Sequence, residues 1–263
     1  MPLEPFDGAL LKFERAKHHI NDLNRQVAEF FKQKACSFVF IRDIKAREAA
    51  IRFEQHKPPP DVFGLIIGDA IHNLRSALDF AVCDIACAHG ADPERVQFPF
   101  AKRPDGLEQV IISRQVQLAG PKVVQAIRDL KPYPGGNDDL FGLHMLDIAD
   151  KHRLLITTVS AAMLENLTVP NLDTSTPAFQ MMRRAAFIGL KHEEEIVRIP
   201  YAPPSRAIRR ATRAFKEKTD IGGSFHIAFA EGLPFEHEPV VPILVRLNEC
   251  VASALHALGM ALT

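Results

Sequence analysis

The chain has 263 residues, and its 32 Lys and Arg balance 32 Asp and Glu, so the formal net charge is zero. That balance excludes a global field for gathering nucleic acid or acidic lipid. Hydrophobic residues make up 47% and charged residues 24%, an ordinary mixture for a globular core, with no run of about 18 apolar residues to span a membrane.

The opening "MPLEPFDGALLKFERAKHH" lacks the cationic start and unbroken apolar run of a secretory signal. Cys83 and Cys87 are four apart, and Cys36 and Cys250 lie far away. These are not zinc-ribbon or thioredoxin spacings, so a reduced, cytoplasmic chain is expected.

Residues 6–34 predict a long amphipathic helix, with Leu10, Leu11, Phe13, Ile20, Leu23, Val27, Phe30 and Phe31 recurring at steps near three and four. "SFVFIRDI" and "EAAIRFEQ" predict a β-hairpin, which the three prolines of "KPPPD" stop. Asp61 opens a second helix, expected to reach about residue 89 before Gly90. An extended "FPF" and two short helices, "DGLEQVIISRQ" and "PKVVQAIRDL", come next. "KPYPGGNDD" is a loop.

A helix over 138–152 should bury Leu140, Leu143, Leu146 and Ile148. Within 153–230, "RLLITTVSA", "FQMMRRAAFIGL", "EEIVRIPY" and "GSFHIAFA" predict strands. "PPSRAIRRATRAFKEK" predicts a helical interruption with a basic face. A last helix covers about 241–261. These patterns predict an α+β fold: one domain over 1–263, with a bundle of about four main helices and antiparallel strands near 37–56 and 153–230. No βαβ alternation and no glycine-rich phosphate loop occurs.

The chemistry concentrates in two helices. In "GDAIHNLRSALDF", Asp69, His72, Arg75 and Asp79 share one face. In "LHMLDIADKHR", His144, Asp147 and Asp150 recur at steps of three, followed by Lys151 and His152. Asp69-x-x-His72 is thus mirrored by His144-x-x-Asp147. Paired carboxylate and histidine at that spacing is the donor type of bundle di-metal sites, here with Asp for Glu and one pair reversed. Asp69, His72, His144, Asp147 and Asp150 are the candidate ligands for iron, manganese or zinc. Glu14, His18, Glu249 and His256 could add donors. Without a metal, His72 or His152 would serve as general base, oriented by a carboxylate such as Asp79, and Arg75 would stabilise negative charge. The same residues could instead form a buried network that fixes the bundle without doing chemistry.

These two motifs, GDxxHNLRSALD and LHxLDxxDKHR, resemble those of a recurring group of uncharacterised bacterial and phage proteins. The likeness covers the middle of the chain, from the triple proline to "DKHR". It implies a family and no activity. A second, weaker resemblance is to helical HEPN domains, whose RNA-cleaving members place an Arg before a His on one helix. Here His72 precedes Arg75 and His152 precedes Arg153, so the nuclease residues do not carry over.

The expectation is an enzyme with a His/Asp/Arg site between bundle helices, acting on a small, anionic molecule with or without a divalent metal. The alternatives are a non-catalytic bundle or an HEPN-like nucleic-acid-binding protein. Nucleic acid and membrane are not expected partners, and a homo-oligomer is compatible with the sequence.

Overall fold

The computed structural model describes residues 6–43, 46–152, 157–163, 189–200, 216–221 and 224–262. The fold is α+β. Its contacts divide the chain into two compact units, one of residues 1–24, 61–156 and 231–263, the other of 25–60 and 157–230. The reading of one domain over 1–263 did not anticipate that division.

The first unit is helical. It holds the start of α1 (Asp7–Lys32), then α2 (Val62–Cys87), α3 (Leu107–Ser113), α4 (Pro121–Leu130), α5 (Asp138–His152) and α6 (Val240–Met260). α2 packs on α5 and α6, and these two pack on each other. α2 is the core helix. Ile67, Ala70, Ile71, Leu74, Ala77, Leu78, Ala81 and Val82 are all fully buried, and their spacing leaves only a narrow outer stripe. α6 is long and apolar enough to cross a membrane by length and composition. Here its stripe of Ile243, Leu244, Leu247, Val251, Ala254 and Leu258 is buried.

The second unit is built on antiparallel sheet. β1 (Cys36–Asp43) and β2 (Glu48–Gln55) form the expected hairpin, with Phe38 opposite Phe53 and Phe40 opposite Ile51. β4 (Glu195–Pro200) and β5 (Lys216–Ile221) extend it to the order β4-β2-β1-β5. β3 (Thr157–Met163) pairs with β6 (Ser224–Phe229) as a separate ribbon. Phe31, Phe38, Phe53 and Phe225 gather in one aromatic cluster, the main apolar payload of this unit.

Three local expectations fail for physical reasons. Leu10 and Leu11 are 50% and 63% exposed, because the buried stripe of α1 runs Ala9, Ala16, Ile20, Leu23, Val27, Phe30. Ile148 faces outward on α5 and Asp147 takes the buried position beside Leu146. Lys216 to Lys218 lie in β5, not in a helix, since they pair with Asp43 to Ile41 of β1. The "FQMM" strand and Arg206 to Arg213 of the basic face lie outside the described residues.

Candidate active site between α2 and α5

α2 and α5 run antiparallel, and their polar residues meet in order. Gly68 faces Asp150, His72 faces Asp147, and Arg75 acts on His144. Three rungs one helical turn apart thus join the two motifs into one ladder. Among the described residues the buried charged side chains are Glu54, Arg75 and Asp147. Two of these three belong to this ladder: Arg75 and Asp147 are in the core, whereas Asp69 and His72 lie at its exposed edge.

The middle rung is a carboxylate-oriented histidine. Asp147 Oδ1 lies 3.1 Å from His72 Nδ1, and Lys151 Nζ holds the other carboxylate oxygen at 2.5 Å. The carboxylate accepts only, so Nδ1 carries a proton, and in the neutral form of the ring the lone pair is on Nε2. Ser76 Oγ, one turn along α2, stands 3.4 Å from Nε2. Ser76, His72 and Asp147 therefore have the connectivity of a hydrolase triad. Ser76 sits mid-helix, however, where backbone N–H groups are consumed by helical bonds and none is free to form an oxyanion hole. Its hydroxyl is a second hydrogen-bond partner of the imidazole.

The third rung opens on a cavity of about 290 Å³, lined by Arg75, Phe98, Phe100, Ser113, Arg114 and His144 among others. Phe100 carries two flat cationic or neutral partners: the Arg75 guanidinium lies 4.6 Å from its centroid and the His144 ring stacks on it at 4.5 Å. Burial, then the charge of Arg75, pulls the His144 pKa down to about 4. His144 is therefore neutral at pH 7, and its Nδ1 is buried without a hydrogen-bond partner among the described residues. Arg114, just past the end of α3, is exposed and makes no ion pair among them.

Asp79 has a structural task. It ion-pairs with Arg75, and its Oδ1 accepts the Phe98 amide at 2.7 Å. Arg75 Nη2 reaches the Phe98 carbonyl at 3.4 Å. The pair clasps both backbone groups of one residue, Phe98, which places Phe98 and Phe100 against the cavity. Asp79, expected in the catalytic set, thus builds the wall, and Arg75 serves both wall and cavity.

The expected metal set is not assembled. Among the described residues no group of three or more His, Cys, Asp or Glu side chains is placed to hold an ion. His144 is turned onto Phe100, and Asp147 is occupied by His72 and Lys151. Asp69 is exposed, and Asp150 has its pKa raised by burial and by the charges of Asp147 and Asp69. Glu14 pairs with Lys17, while His18, Glu249 and His256 lie on exposed faces. His152 ends α5 exposed, outside the group. Sequence reasoning missed Arg114, which carries no motif, and gave Phe100 only as part of the extended "FPF". Ser76 was legible, being four residues after His72 on a helix.

Gly68 explains the first letter of its motif. A methyl group there would collide with the Asp150 carboxylate. The Asp150 carboxylate is the end of a side chain and must swing aside, so Gly68→Ala should cost about 1 kcal/mol by overpacking. In an Asp150→Ala background the collision is gone. The same change should then stabilise by up to about 1 kcal/mol, through helix propensity. Thermal melts of the four proteins test the sign reversal; a loss of equal size in both backgrounds would refute it.

Comparison of the chain with family models, with curated proteins and with solved structures gives no match. The chemistry of the site therefore rests on its own residues.

Proposed function

We propose that the protein is an enzyme that anchors a small anionic substrate at Arg114 and Arg75 and moves a proton with His72. The observation that carries this is the placement of a carboxylate-oriented histidine one helical turn from a cavity bearing two arginines. In this reading Asp147 and Lys151 fix the His72 tautomer, and Nε2 takes a proton from the substrate or from water. Arg75, desolvated against Phe100, stabilises the negative charge that develops. The two motifs are then the two sides of one site, and proteins carrying both would share it.

The Arg75–Asp79 clasp on Phe98 favours a second reading in which the cluster is scaffold alone. Anion binding separates the two. Sulfate, phosphate, acetate and benzoate should be compared in thermal melts at matched ionic strength. At least one should raise the melting temperature, reflecting about 2.7 kcal/mol at a hundred times its dissociation constant. Arg114→Gln, an exposed substitution, should weaken that shift at unchanged basal stability. No shift with any anion leaves the scaffold reading.

A further inference from the structure

The charge and shape of the cavity narrow the ligand class. Arg75 is neutralised by Asp79, and Lys151 by Asp147. His144, buried beside Arg75, is neutral at pH 7. The Glu108–Arg128 pair, from α3 and α4, also cancels. Among the described residues Arg114 remains as the one uncompensated charge on the lining, so these residues offer a net charge of one. A dianion would keep one negative charge unmatched beside the carboxylates of Asp79 and Asp147, which a partly desolvated site disfavours.

Shape agrees with charge. The Arg114 guanidinium is a flat fork that fits a planar carboxylate with two parallel hydrogen bonds. Ser113, next to it, donates its hydroxyl proton to the Val110 carbonyl at 3.1 Å and so adds no donor for the ligand. The rest of the lining is Phe98, Phe100, Val110 and the polar Gln97, so an apolar body has Phe100 and Val110 to lie against beside a polar rim. At about 290 Å³ the cavity stands at the small end of ligand sites, which begin near 300 Å³, too small for a nucleotide to be enclosed. We infer that the site takes a small monocarboxylate with an aromatic or branched apolar body, its carboxylate on Arg114 and its body against Phe100 and Val110. This rests on the anion-binding reading above and specifies its substrate class.

The test is a calorimetric and thermal-shift panel at pH 7.5 with benzoate, phenylacetate, isovalerate, acetate, inorganic phosphate, phenyl phosphate and the uncharged benzamide. Benzoate or phenylacetate should bind at least tenfold more tightly than phosphate, phenyl phosphate or benzamide. Acetate, lacking the body, should bind more weakly than isovalerate. Arg114→Gln should reduce benzoate affinity tenfold or more. Gln97→Lys, on an exposed lining residue, raises the net charge to two and should shift the preference several-fold toward phenyl phosphate. Phenyl phosphate or phosphate binding as tightly as benzoate overturns this inference and leaves the anion reading intact. Benzamide binding as tightly as benzoate overturns both, and so does the absence of binding by every anion.

Discussion

Replacing Asp79 with Ala should lower the stability of the helical unit by about 3–5 kcal/mol. Arg75 is 6% exposed, so when its carboxylate is removed its guanidinium meets water only through the cavity it lines. The Phe98 amide loses its acceptor in the same step, leaving a second buried group unsatisfied. Asp79→Asn keeps an oxygen for that amide and should fall between wild type and Ala. Arg75→Met should cost less than Asp79→Ala, because the Asp79 carboxylate left behind is 28% exposed and can hydrate. Urea melts of the three variants measure the order. Asp79→Ala within about 1 kcal/mol of wild type would show that the clasp is not what holds the Phe98–Phe100 segment.

Asp147→Asn should do the opposite: stability nearly kept, chemistry lost. Asp147 is 2% exposed, but its partners Lys151 and His72 are 55% and 53% exposed at the side chain. Neither is stranded by the change, and a buried carboxylate is relieved of its desolvation, so stability should stay within about 1 kcal/mol. The amide no longer fixes the His72 tautomer. Turnover should fall by about 10²–10⁴, the range of a general base. Hydrolysis of mono-p-nitrophenyl succinate, a carboxylate-bearing ester, supplies one readout. Imidazole nitrogen NMR supplies another that needs no turnover: the Nδ1-protonated form should dominate in wild type and lose its dominance in Asp147→Asn. Unchanged tautomer populations together with turnover within threefold of wild type would remove His72–Asp147 from the mechanism.

The contrast between these two aspartates marks the limit of what the sequence made legible. Periodicity placed Asp69, His72, Arg75 and Asp79 on one face of α2 and predicted that this face meets His144 and Asp147 of α5. Steps of three and four are local geometry, and a helix preserves them. Periodicity could not say which carboxylate is scaffold. Asp79 clasps a peptide nineteen residues away, and that peptide belongs to "FPF", a segment without regular structure. Nor could it find Arg114, whose role comes from the end of a seven-residue helix. The metal expectation failed on orientation: His144 has the spacing of a ligand, but its ring is drawn onto Phe100. The strand readings held where β1 and β2 alternate against partners, as in Phe38 opposite Phe53. The division into two units was illegible because each unit is assembled from separated segments.

That interleaving has a consequence during synthesis. A ribosome that has released the chain only as far as residue 230 has made α2 and α5 but not α6, which packs against both. At about 5–20 residues per second, residues 231–263 take roughly two to seven seconds to follow. Over that interval the nascent chain has its two polar motifs in hand while the apolar flank meant for α6 stays uncovered.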